Sequence, residues 1–343
     1  MDGMGRQRLR LYLAYTDAEF ANAYSPAAFA RLERSVDVVR NTTGEVLRGE
    51  ALAHAARGCD LMIGYRSTPC DAEALRGMPH LIAFLRAAVD LGTVDVDEAS
   101  RQGILVTRVS PGFHNAVAEL GIGLMIDVAR GITRHRLQLG GGQHLPPQQG
   151  TELAGSTLGF AGYGGIARHM NALARAMGMR TIACDPFVRE ADLPLVALDE
   201  LLAQADFVVC LAAATPSTRH LFDAQAFGRM KRGAFFVNLS RGELVDEDAL
   251  ERALDAGHLG GAALDVGSAP DQKPAARFIG RTDVVVTQHI GATTTQARAR
   301  QTMDTIVQVE SIAAGLMPSG AVNPDAAYRF TRRFALSSME THT

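Results

Sequence analysis

The stretch Thr157-Leu-Gly-Phe-Ala-Gly162-Tyr-Gly164-Gly-Ile-Ala167, continued by an apolar-striped run to about Met177 and by Thr181-Ile-Ala-Cys-Asp185, decides the fold class. An apolar strand runs into a glycine turn, the turn opens a helix, and a second strand ends in an acid 23 positions after Gly162. That context makes the pattern a dinucleotide-binding βαβ unit. Gly162 permits the tight turn, Gly164 lets the backbone approach a pyrophosphate, and Ala167 is small enough for helix and strand to pack closely. The helix start at Gly165 and Ile166 offers free backbone N–H groups and the positive dipole end to an anion. Asp185 is placed to accept hydrogen bonds from ribose hydroxyls and to repel a 2′-phosphate, which favours NAD over NADP. The competing reading is a packing turn, with Asp185 capping the bend at Pro186.

Working outward, the same alternation fills the chain. Upstream, Leu9–Tyr15, Val36–Arg40, Leu61–Tyr65, Leu81–Leu85 and Ile104–Val109 are short apolar runs. Helix-like stretches lie between them at about Pro26–Arg34, Gly49–Ala56 and Val96–Gln102. Downstream, Phe207–Leu211, Ala234–Val237, Ala262–Leu264 and Val284–Thr287 continue the second series, so two doubly wound parallel sheets are expected. Helical spacing predicts one long helix over Ala116–Leu137, a breaker-rich loop over Gln138–Gly155, and a late helix over about Gln296–Gly315 that returns the chain to its first domain.

Composition agrees with an ordinary folded protein. At 343 residues, 47% hydrophobic and 21% charged, the chain suits two domains of about 100 to 200 residues each. A net charge of −3 offers no basic field for nucleic acid. Cys59, Cys70, Cys184 and Cys210 are widely spaced and read as reduced thiols, and the ten histidines show no metal-ligand spacing, so no metal is expected. No secretory signal and no bilayer-spanning run is evident, which implies a cytoplasmic protein without a membrane partner.

Arg66-Ser67, Val117-Ala-Glu119, the turn Gly159–Ala167, Thr215-Pro-Ser-Thr218, Met230-Lys-Arg-Gly233, Asn238-Leu-Ser-Arg-Gly-Glu-Leu-Val-Asp246, Leu264-Asp-Val266 and His289-Ile-Gly291 together resemble the NAD-dependent D-isomer specific 2-hydroxyacid dehydrogenase family. The resemblance implies an α/β protein: a doubly wound Rossmann NAD-binding domain (residues 113–295) inserted in a smaller flavodoxin-like substrate domain (residues 1–112 with 296–330). It also implies a homodimer formed through the inserted domain, and a small 2-hydroxy or 2-keto acid as substrate. No added regulatory domain fits after Pro324.

By the same resemblance, Arg241 holds the substrate carboxylate and polarises the adjacent carbonyl, tasks a planar guanidinium suits. His289 protonates the carbonyl oxygen as hydride arrives, as an imidazole with an ordinary pKa near about 6.5 can. Ser240, Asp265 and Ala292 join the glycine turn in holding the cofactor, while Arg66, Ala88 and Val89 receive the substrate.

Three positions depart from the family pattern. The acid that orients the histidine is missing: Ala269 or Pro270 falls at its place, leaving Asp271 as the nearest substitute and Gln272 as the weaker one. In Arg86-Ala-Ala-Val-Asp-Leu-Gly92, Asp90 replaces a common glycine and discourages an anionic substrate unless it points away or pairs with Arg66 or Arg86. Phe113, where asparagine is frequent, suggests a bulkier or less polar substrate. The alternative function is a catalytically weak NAD(H)-sensing interaction protein of the same fold, like the corepressors of this family.

Overall fold

The computed structural model describes residues 8–142, 146, 149–268 and 272–339. Its contacts divide the chain into two compact units, Met1–Gly112 with Thr295–Thr343, and Phe113–Thr294.

The first unit is built on β1 (Arg10–Ala14), β2 (Asp37–Arg40), β3 (Leu61–Gly64), β4 (Ala83–Arg86) and β5 (Leu105–Arg108), all parallel, in the order β2-β1-β3-β4-β5. Alternate residues of each strand feed two cores: Leu11 and Leu13 lie on one face, Tyr12 and Ala14 on the other. Both faces being covered explains why these strands read as continuous apolar runs. The helix Thr295–Ala313 belongs to this unit and places Ile306, Val309 and Ile312 in its core.

Among the described residues three helices of this unit escape the apolar period: the five-residue Ala72–Arg76, Asp17–Ala23 and Tyr328–Met339. Asp17–Ala23 is only seven residues long and is set by a capping box, in which Thr16 Oγ1 accepts from Glu19 N and Glu19 Oε2 accepts from Thr16 N. Tyr328–Met339 extends the unit past the expected limit at residue 330, with Phe330 in the core and its ring tilted against Phe334 at a centroid distance of 4.9 Å.

Near the edge of this unit, Glu98 accepts hydrogen bonds from Arg76 (2.9 Å), Arg101 (2.9 Å) and Gln102 (3.1 Å), tying helix Ala72–Arg76 to helix Val96–Arg101. These donors, Arg76 foremost, pull its carboxyl down to about 2 from the usual 4.5. A depressed carboxyl contributes stability that is complete above the unfolded value and is lost as pH falls toward the folded one. Urea midpoints of the wild type should therefore drop between about pH 4.5 and 2. Glu98→Gln should be less stable at pH 7 and less steep across that window, and parallel curves would show that Glu98 contributes nothing to the acid limb.

The second unit contains β6 (Thr157–Ala161), β7 (Arg180–Cys184), β8 (Phe207–Cys210), β9 (Phe235–Asn238), β10 (Gly261–Leu264) and β11 (Val284–Val286), again all parallel. Their order, β11-β10-β9-β8-β6-β7, reverses direction at β6. Ligands of open α/β sheets bind outside the carboxyl ends of the strands at such a switch point, which is where the glycine turn leaves β6.

The long helix expected over Ala116–Leu137 is two helices, His114–Arg130 and Ile132–Gly140. Gly131 separates them with φ +64°, a conformation open to glycine at little cost, and the Asp127 carboxylate accepts from Thr133 N and Oγ1 to start the second helix. The loop expected from Gln138 therefore begins after Gly140, and part of it lies outside the described residues.

Candidate active site

The glycine turn is shaped by close approach on one side and open space on the other. Gly162 has φ +96°, and a Cβ there would lie 2.5 Å from Ala212 N, so only glycine fits. A Cβ on Gly164 would meet nothing within 4 Å, which leaves the approach to the first turn of helix Gly165–Ala176 clear. Ala167 is fully buried beneath it. Asp185, at the end of β7, accepts from Tyr163 N (2.8 Å) and from Phe187 N (2.9 Å). It therefore fastens the glycine turn and caps the bend after Pro186 together, and the cap read from sequence as a competing role coexists with the turn.

Two histidines beside this turn went unnoticed in the motif. The His114 ring occupies the space of a Gly165 side chain, its Cε1 standing 2.2 Å from where the Cβ would be. His169 Nδ1 donates to Gly165 O at 2.8 Å, and the two ring centroids are 5.6 Å apart. Burial, with His169 adding to it, pushes the His114 imidazole below its ordinary pKa. A residue so far upstream as His114 carries no spacing cue that ties it to the turn.

The loops after β9, β10 and β11 carry the other expected residues of this unit. Asn238 closes β9 and shapes the next turn: its Oδ1 accepts from Ser240 N (3.0 Å) and its Nδ2 donates to Arg241 O (3.0 Å). Arg241 follows half-buried, with Nη1 donating to Ser240 O at 2.8 Å, and no ion pair holds its guanidinium among the described residues. The adjacent loop is pressed against it, since a Cβ on Gly242 would lie 2.0 Å from Gly267 C.

Asp265 begins that adjacent loop and is 2% exposed. Its Oδ1 accepts from Thr287 Oγ1 (2.6 Å) and Ile290 N (2.8 Å), its Oδ2 from Gly291 N (2.9 Å), and its backbone oxygen from His289 N (2.8 Å). One carboxylate thus shapes the whole His289 turn, in which His289 itself adopts φ +55°. Ala292 lies half-buried just beyond. Asp271 lies outside the described residues, as do Ala269 and Pro270. Gln272 has φ +60°, and its Oε1 is buried without a hydrogen-bond partner.

In the first unit, Arg66 follows β3 while Ala88 and Val89 follow the neighbouring β4. Arg86, fully buried at the end of β4, ties the two loops by donating to the backbone oxygens of Tyr65, Arg66, Thr68 and Asp90 at 2.9 to 3.2 Å. Asp90 pairs with both arginines considered for it, 3.4 Å from Arg86 and 3.8 Å from Arg66. Among the described residues no cluster of His, Cys, Asp or Glu could hold a metal ion, and no helix is long and apolar enough to cross a membrane.

A parallel sheet reversing at a glycine turn, with an arginine and a histidine on the carboxyl-end loops, is the arrangement of a dinucleotide-binding α/β domain. Residues 122–291 match the model of the D-isomer specific 2-hydroxyacid dehydrogenase NAD-binding domain. A hydroxypyruvate reductase of Thermotoga maritima is 33% identical over 272 residues, which make up 78% of this chain and 89% of that protein. A D-3-phosphoglycerate dehydrogenase of Synechocystis is 36% identical over 244 residues, 69% of this chain but only 44% of the relative's length. D-2-hydroxyisocaproate dehydrogenase superposes with a TM-score of 0.83 over 92% of this chain and 99% of its own at 22% identity, a likeness of fold alone. The chain belongs to the D-isomer specific 2-hydroxyacid dehydrogenase family. It is an NAD-dependent oxidoreductase of the CH–OH group of 2-hydroxy acids, and these relatives do not favour the corepressor-like alternative.

Proposed function

We propose that the chain interconverts a small 2-keto acid and its D-2-hydroxy acid, with Arg241 and His289 as catalytic residues and NAD preferred over NADP. The observation carrying this reading is the half-buried Arg241 guanidinium, free of any carboxylate among the described residues, on one strand-end loop, while Asp265 shapes the His289 turn two strands away. An arginine in that setting is ready for an anionic ligand, and its planar fork matches a carboxylate.

Gly162, Gly164, Gly165, Ile166 and Ala167 would hold the dinucleotide pyrophosphate over the open first turn, Asp185 the adenosine ribose, and Ser240, Asp265 and Ala292 the nicotinamide end. Bound NAD supplies the hydride acceptor or donor. Arg241 binds the substrate carboxylate and draws electron density from the neighbouring C2 carbonyl. His289 gives a proton to the carbonyl oxygen during reduction and takes it from the hydroxyl during oxidation. Asp271, or Gln272 in its stead, would orient the imidazole, and Arg66, Ala88 and Val89 serve the substrate's binding.

A cytoplasmic homodimer belongs to the same proposal. The helix Ile132–Gly140 buries none of its residues and exposes Ile132, Leu137 and Leu139, an apolar surface that a second copy would cover.

The test is NADH oxidation with glyoxylate, hydroxypyruvate and phenylpyruvate, where Phe113 predicts preference for the bulkiest. Arg241→Lys keeps the charge and loses the fork, so kcat/KM should fall about 10- to 100-fold, chiefly through KM. NADH binding without oxidation by any of the three acids would overturn the enzymatic reading.

A further inference from the structure

We propose that Asp90 and Glu19 make the substrate loops of the first unit select against phosphorylated 2-keto acids and favour those whose distal end is neutral or cationic. The inference rests on the 2-keto-acid reading above and adds a specificity determinant to it.

The loop after β3, Tyr65–Thr68, holds the two side chains best suited to grip a phosphate, the Arg66 guanidinium and the Ser67 hydroxyl. Each is already engaged by a carboxylate. Asp90 Oδ2 stands 3.8 Å from Arg66 Nε, and Ser67 Oγ donates to Glu19 Oε1 at 2.5 Å. The neighbouring cation has no donor left for a ligand. Arg86 is fully buried, and its guanidinium is committed to four backbone oxygens and to Asp90. Arg298, on the late helix, spends its Nη1 on the Tyr65 hydroxyl.

The two acids are themselves firmly placed. Glu19 is fixed from the other side by the Thr16 backbone N–H (2.9 Å). Asp90 is held through both its backbone oxygen and its carboxylate by Arg86 (3.2 and 3.4 Å). Half of the Asp90 side chain remains exposed, so it acts on a ligand by occupying Arg66 rather than as a free charge. A singly charged keto acid needs only one carboxylate site. A phosphorylated one would bring about two more negative charges to a loop whose Arg66 and Ser67 are already taken by carboxylates, and gripping the phosphate would require displacing Asp90 or Glu19 and leaving like charges a few ångströms apart.

The experiment compares hydroxypyruvate with 3-phosphohydroxypyruvate in the wild type, Asp90→Asn and Asp90→Asn/Glu19→Gln. Amides of equal size remove the charge and keep one acceptor oxygen each, for the Thr16 N–H at residue 19 and for Arg86 at residue 90. The wild type should prefer the unphosphorylated acid. The ratio of kcat/KM for phosphorylated over unphosphorylated acid should rise about tenfold or more in the double variant, with Asp90→Asn supplying most of it. Thermal shift with glycerate and 3-phosphoglycerate reads binding independently of turnover, and only the variants should be stabilised by the phosphorylated compound. A wild type that prefers the phosphorylated acid, or variants with unchanged ratio and unchanged thermal response, overturns the inference. Absence of turnover with the predicted thermal response retains the charge filter and condemns the catalytic reading instead.

Discussion

Replacing His289 by glutamine is expected to lower keto-acid reduction by about 10² to 10⁴-fold, the usual contribution of a positioned acid–base group. Glutamine preserves polarity and approximate reach but cannot give up a proton near neutrality. The turn should survive the change, because its anchors are the Asp265 bonds to Thr287, Ile290 and Gly291 and the backbone bond from residue 289 to Asp265, none of which uses the imidazole. The loss should therefore fall on kcat, while NADH affinity, read by fluorescence titration, stays close to that of the wild type. Turnover retained by His289→Gln would remove the residue from the mechanism.

Much of this site was legible because strand ends and turn residues carry their own chemistry. The stretch from Thr157 to Asp185 announces both a strand and its partner, and β6 begins and ends where the apolar run does. Arg241 and His289 each stand just beyond a short continuous apolar strand, which places them at the carboxyl edge of the sheet, but their roles were legible only through the family resemblance. What escaped the sequence was tertiary or very local. Gly131 sits inside an unbroken helical pattern, and only its left-handed backbone splits the helix there. Helix Asp17–Ala23 is too short for an apolar period, although its box of Thr16 and Glu19 could have revealed it. The packing of His114 on Gly165 joins residues 51 apart, and nothing in either neighbourhood forecasts it.

The charge at Asp90 shows the same division between what a residue type says and what its neighbours decide. Read alone, an acid in a substrate loop is a puzzle. With Arg66 and Arg86 on either side it becomes part of a network that binds two loops and disarms one guanidinium. Of those two arginines, Arg86 is fixed by burial, which pulls its pKa down against the opposing pull of Asp90. The exposed Arg66–Asp90 pair contributes little to stability at that separation, and ligand selection is the consequence proposed for it.

The same dependence on neighbours makes Asp265→Ala damaging to the fold of the second unit and to its site together. Removing this carboxylate leaves the N–H groups of Ile290 and Gly291 and the Thr287 hydroxyl without their acceptor, in a place where Asp265 itself is 2% exposed. A buried donor left unpaired costs about 1 to 3 kcal/mol; the Gly291 bond is buried and the other two partly so, and a total loss of about 3 kcal/mol is expected. For a unit of this size that corresponds to a Tm lower by about 6 to 12 °C. Activity should fall further than stability alone explains, by about 10²-fold in protein that remains folded, because a displacement of His289 by about 1 Å is enough to spoil proton transfer. Asp265→Asn separates the two effects. Its amide oxygen still accepts from one or two of the donors while its NH₂ opposes the remaining one, so its melting temperature should lie between those of the wild type and Asp265→Ala. An Asp265→Ala protein that melts and turns over like the wild type would show that the His289 turn is held by something other than this carboxylate.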